Sequence, residues 1–156
     1  MNLKVYKIRP GARLPLRVHK LDAGMDLFYC PNGERARAIL DEGLAIGARE
    51  SVLVPTGLKV EVPYGHMLEV KNKSGIASKR QLIVGACVVD PGYDGEVYVN
   101  LHNIGLKTQY IKAGDKIAQA VLTPVIHCGV EEVETDKFIN FHSTRGAGGF
   151  GSTGER

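Results

Sequence analysis

Four short stretches concentrate residue types that could handle a phosphorylated ligand. Val88-Val89-Asp90-Pro91-Gly92-Tyr93-Asp94-Gly95-Glu96 sets a carboxylate at the end of an apolar run, just before a Pro-Gly turn. That position is a sheet rim, where Asp90 can orient or deprotonate a water and Tyr93 can pack flat against a sugar. The plainer reading is an aspartate that only caps its turn. Lys73-Ser74-Gly75 follows a strand-like run and opens a helix-prone segment. A cation, a hydroxyl and a helix-start N–H can converge there on an oxyanion; an N-cap serine beside a solvated lysine uses the same residues. Ala23-Gly24-Met25-Asp26-Leu27 reads as a Gly-Asp turn, either structural or facing a ligand.

The C-terminal stretch is a different kind of signal. Residues 146–151, Gly-Ala-Gly-Gly-Phe-Gly, satisfy GxGxxG and also imitate a P-loop with Ser152 where lysine should stand. Both motifs need a preceding strand and a following helix whose N-terminus completes the phosphate site. Only Ser152–Arg156 follow, too few for that helix. What remains is Arg145, a set of unhindered backbone N–H groups, and the hydroxyls of Ser152 and Thr153, the ingredients of a polyphosphate wrap. Phe150, alone among glycines, has a face free to stack on a base. Such a segment suits a lid that orders on ligand binding.

The elements that must position these groups are short. The 19 glycines and 7 prolines punctuate the chain at intervals instead of pooling in a linker. Between them lie β-branched runs at Leu3–Ile8, Ser51–Pro55, Leu58–Val62, Met67–Val70, Ile83–Val89, Glu96–Asn103, Ile117–Pro124 and Val130–Val133. Many short strands with regular turn signals predict an all-β sandwich or barrel. Two segments are helix-prone: Ser74–Leu82, with Ser74 as its cap, and Glu34–Glu42, which Gly33 and Gly43 confine to about two turns.

Composition narrows the classes. A chain of 156 residues with 44% hydrophobic and 24% charged residues suits one globular domain, not a disordered chain. No apolar run approaches a membrane span, and the first nine residues have no signal-peptide core, so a cytoplasmic protein is expected. Twenty Lys and Arg against 17 Asp and Glu leave +3, scattered rather than striped, which argues against a nucleic-acid backbone binder. Cys30, Cys87 and Cys128 form no CxxC pair and read as reduced thiols; the five histidines have no HExxH-type spacing.

In combination, five motifs in order resemble the trimeric all-β deoxyuridine triphosphatases (dUTPases): AGMDL at 23–27, KSGIA at 73–77, VVDPGYDGE at 88–96, GDKIAQ at 114–119 and RGAGGFGSTG at 145–154. The resemblance implies a distorted jelly-roll, barrel-like β domain over 1–142, with 31–49 as a surface insertion, one short helix, and a closing tail at 143–156. It implies hydrolysis of dUTP to dUMP and pyrophosphate by water attack on the α-phosphorus, in a homotrimer with shared sites and with Mg²⁺ held mainly by the substrate. Such chemistry keeps uracil out of DNA and supplies dUMP for thymidylate synthesis. Asp90 would hold the deoxyribose hydroxyl and activate the water, and Tyr93 would exclude a 2′-hydroxyl. The backbone from Ala86 to Tyr98, including Val88 and Val89, would read the uracil edge. Lys73, Ser74 and Gly75 would contact the α- and β-phosphates, with Gln119 in support and Asp26 in the metal–phosphate surroundings. Arg145, Phe150, Gly151, Ser152 and Thr153 would close from another subunit. Lys73 stands where arginine is usual, and Cys87 where glycine is common, a side chain that a positive φ would strain. A dCTP deaminase-like enzyme and a nucleotide-binding regulatory module are the alternatives.

Overall fold

The computed structural model describes residues 2–33 and 43–134; the expected helix at Glu34–Glu42 and the Gly-rich tail lie outside them. The chain divides into two compact units, residues 1–126 and 127–156. In the second, residues 127–134 form no strand, so Val130–Val133 does not take the extended pairing its composition predicts.

The first unit is mostly strand. Its described residues form β1 (Lys4–Lys7), β2 (Met25–Phe28), β3 (Leu44–Ile46), β4 (Ser51–Pro55), β5 (Leu58–Glu61), β6 (His66–Lys71), α1 (Ser74–Arg80), β7 (Leu82–Val84), β8 (Val88–Val89), β9 (Tyr98–Asn103), β10 (Gln109–Ile111) and β11 (Lys116–Pro124). They pair as β1-β5, β3-β10, β2-β11-β6-β8 and β4-β9-β7. All pairings are antiparallel. The arrangement is jelly-roll-like and does not close into a barrel among the described residues.

Burial explains which stretches became strands. β9 alternates half-buried and buried positions, sending Val99, Leu101 and Asn103 inward. Val99 and Leu101 meet Leu27, Ile46, Val54, Leu58, Leu68 and Ile117 in a single core. Ile46 is fully buried and β3 pairs with β10, so Leu44–Ile46 is built into the fold although it falls within the expected 31–49 excursion. Asn103, buried on β9, donates to the carbonyls of Ile46 and Lys107 and accepts from the N–H of Gly105, which satisfies its amide.

The helix is shorter than its sequence suggests, and it is capped differently. Lys73 is the N-cap and makes no side-chain capping bond; Ser74 is the first helical residue. Gln81 turns left-handed at φ 55°, which stops the helix one residue before β7 begins. The run Ile83–Val89, expected as one strand, is two strands in different sheets, because the chain crosses from β9 to β6 at Gly85–Cys87. The Gly85 N–H bonds the Asn100 carbonyl at 2.9 Å, whereas Cys87 gives its carbonyl to Val70 N–H at 2.7 Å.

Candidate active site

The four-stranded sheet carries four of the five motifs. AGMDL is on β2, GDKIAQ leads into β11, KSGIA follows β6, and VVDPGYDGE begins as β8. Register places Asp26 opposite Gln119, and Gln119 opposite Lys71. Two groups of side chains result, one around Asp26 and one along β8.

The first group surrounds Asp26, whose side chain is 5% exposed. It pairs with Lys73 on one oxygen and with Lys116 at 2.7 Å on the other. A bulge in β11 between Lys116 and Ala118 lies beside this pairing, the kind of irregularity that re-aims a side chain. Burial pushes the Asp26 carboxyl upward, but the bonds and charges of Lys116 and Lys73 outweigh it and hold it below the usual carboxylate range. Gln119 donates to the Asn72 carbonyl at 2.9 Å. Gly24 packs so closely on the Gln119 side chain that any Cβ would overlap it. Ser74 is exposed, and a Cβ on Gly75 would meet only open space. Lys116 and Asn72 were missed by motif reasoning. Lys116 sits inside GDKIAQ, and its register partner is Phe28, so only the folded side-chain contact reveals Asp26 as its target.

The second group lines a cavity of about 300 Å³ between β8 and β9. Ala86, Val88, Val89, Asp90, Tyr93 and Tyr98 all border it, together with Cys87, Leu53 and Asn100. β8 is an edge strand with no second partner among the described residues, so one row of its backbone N–H and C=O groups is open on that side. Asp90 is exposed, and its carbonyl accepts the Tyr93 N–H at 3.3 Å across the Pro91-Gly92 turn, in which Gly92 takes φ +85°. Asn100 accepts the Ala86 N–H at 3.2 Å. Burial first, and then neighbouring Glu96, push the Tyr98 phenol above its ordinary range, so it stays protonated at neutral pH. The positive-φ non-glycine residues described are Arg49 and Gln81; Cys87 is not among them, so its side chain adds no backbone strain. Asn100 and Leu53 lie in the β9 and β4 runs, and only the pairing of those strands aims them at the hairpin.

Arg145, Phe150, Gly151, Ser152 and Thr153 lie outside the described residues. Among the described residues no three His, Cys, Asp or Glu side chains gather as a metal-holding group, and no helix is long and apolar enough to cross a membrane.

Comparison with known proteins decides the family. The dUTPase sequence model matches residues 12–154. The chain belongs to the dUTPase family. A deoxyuridine 5'-triphosphate nucleotidohydrolase of Gloeothece citriformis is 43% identical over 99% of this chain and 97% of its own length. One from Clostridium acetobutylicum is 39% identical over 99% and 97%. Among solved structures, the dUTPase of Staphylococcus bacteriophage 80alpha with dUPNHPP superposes with a TM-score of 0.80 at 27% identity, covering 98% of each chain. A phage phi11 dUTPase, described as showing coordination of a structural Mg(II) ion, gives 0.74 at 26% identity over 88% of this chain and all of that one. As a dUTPase, the protein is an enzyme that hydrolyses dUTP to dUMP.

Proposed function

We propose that the β8–β9 cavity holds the deoxyuridine, that the Asp26–Lys73–Gln119 corner holds phosphates, and that each complete site joins the cavity of one protomer to the corner of another. The observation that carries this reading is the cavity, which gathers Asp90, Tyr93 and the open backbone edge of β8. Uracil presents an acceptor–donor–acceptor edge, and an unpaired strand edge offers matching groups at fixed positions. An exocyclic amine there would leave buried polar groups mispaired, which discriminates strongly. Asp90 holds the 3′-hydroxyl and takes a proton from the attacking water as its oxygen bonds the α-phosphorus. The bond from that phosphorus to the bridging oxygen breaks, releasing dUMP and pyrophosphate. Tyr93 lies under the sugar and leaves no room for a 2′-hydroxyl.

Strand geometry supports sharing between protomers. Val88 pairs with Glu69, so Asp90 is level with residue 67, six residues back from Lys73. At about 3.3 Å per residue the separation is on the order of 20 Å along β6, too far for one phosphate to meet both. A homotrimer supplies the corner from a neighbour, and residues 143–156 close over the nucleotide, with Phe150 on the base and Arg145, Ser152 and Thr153 around the γ-phosphate. Gly75 fits this role, since among the described residues nothing lies where its Cβ would be. Both oxygens of Asp26 are taken by lysines, so it does not suit a direct metal ligand. Mg²⁺ suits the triphosphate itself, with Asp26 acting only indirectly through the lysines. The substrate pool is that of the cytoplasm.

Product analysis tests the reading. With Mg²⁺ and, separately, dUTP, dCTP, dTTP and UTP, dUTP alone yields monophosphate and pyrophosphate. Asp90→Asn keeps dUTP binding and its melting temperature but loses about 10²–10⁴ in turnover. Near-parental turnover in that variant removes Asp90 from water activation. Conversion of dCTP to dUTP would instead identify a deaminase, and binding without product a sensor.

A further inference from the structure

Tyr93 stands on a support that reaches into the N-terminal segment. Its hydroxyl donates to the Glu96 carbonyl at 3.1 Å, and its ring lies over Gly95, where a Cβ would collide with it. The Glu96 side chain, 9% exposed, forms an ion pair with Arg9, which is 19% exposed and 87 residues away in sequence. The same Glu96 oxygen accepts the Gly57 N–H at 2.7 Å in the turn between β4 and β5. Next to it, Val97 donates to the Leu58 carbonyl at 2.8 Å and accepts the Thr56 hydroxyl at 2.6 Å. The foot of the hairpin is thus fixed to the β4–β5 turn, and Arg9 together with Gly57 holds the Glu96 side chain in place. Arg9 also donates to the Cys30 carbonyl at 3.5 Å, yet its Nε is buried without a hydrogen-bond partner among the described residues.

We propose that Arg9 and Glu96 are positioning residues that hold Tyr93 as a rigid wall against a ribose 2′-hydroxyl, an inference resting on the reading of Tyr93 given above. Steric exclusion is only as strong as the cost of moving the wall. If Glu96 is loosened, its carbonyl and the ring above it swing aside, and UTP enters.

The test compares kcat/KM for dUTP and UTP in Glu96→Gln, Arg9→Lys and Tyr93→Ala, each checked by thermal melting. Glu96→Gln keeps the shape and the Gly57 contact but loses the ionic grip of Arg9, and the dUTP-to-UTP ratio falls about tenfold. Arg9→Lys keeps the charge without the guanidinium fork, lowers the ratio less, and serves as the readout if Glu96→Gln does not fold. A merely structural role lowers both substrates by one factor, and an unmoved ratio in a folded variant overturns the proposal. If Tyr93→Ala lowers the ratio while Glu96→Gln and Arg9→Lys do not, this inference alone falls. If Tyr93→Ala leaves the ratio unmoved, the sugar-recognition reading falls and takes this one with it.

Discussion

At the scale of single residues, Asp26 shows how a buried charge can be set for service. Alone in that position, its carboxylate would resist ionisation; two ammonium groups reverse the balance and lower its pKa. A group whose folded pKa lies below its unfolded value stabilises the fold at neutral pH, and that contribution is lost as pH falls through the folded value. Asp26→Asn therefore costs about 1–3 kcal/mol at pH 7, and the gap between parent and variant closes as pH drops below about 4. Urea unfolding across that range reads it directly; a gap that stays constant would place the effect in packing, not charge. The sequence displayed Asp26 as a polar position beside a glycine but concealed its partners. Lys73 and Lys116 lie far along the chain and converge only through the order β2-β11-β6. Motif reasoning singles out Asp26 and Lys73 but neither their pairing nor Lys116.

At the scale of elements, strands were legible where composition and burial agree. Ser51–Pro55 begins and ends where its β-branched run does. The Ile83–Val89 run was misread as one strand because both of its halves are apolar, and nothing local marks that Val84 pairs with Leu101 while Val88 pairs with Glu69. Met25–Phe28 looked like a turn because a four-residue strand beside glycine carries no alternation to count. Yet β2 is what sets Gly24 against Gln119. Gly24→Ala forces the far end of that side chain to turn and to lose the Asn72 carbonyl, a small cost in folding because the amide is free to rotate. If that corner holds phosphates as proposed, its misorientation lowers kcat/KM for dUTP about ten- to hundredfold, with the melting temperature within a few degrees of the parent. An unchanged kcat/KM would mean that the orientation of Gln119 is irrelevant to turnover.

At the scale of the whole molecule, strand register sets Asp90 level with residue 67, near the start of β6, whereas Lys73 lies just past its end. On the function proposed above, a single chain carries two half-sites, and closed cyclic symmetry lets each half meet its complement on a neighbour. The consequence is measurable by mixing two inactive proteins. Asp90→Asn destroys the nucleoside half, and the double change Lys73→Ala with Gln119→Ala disables the phosphate half. When the two are unfolded together in equal amounts and refolded, a site is intact only if its cavity comes from the second protein and its corner from the first. Each condition is met half the time, so about a quarter of parental activity returns. Sites built within one chain would give no recovery, because every chain carries a lesion. Recovery that scales with refolding, and is absent when the folded proteins are mixed briefly, would further show that the protomers must be assembled together for the two halves to face each other.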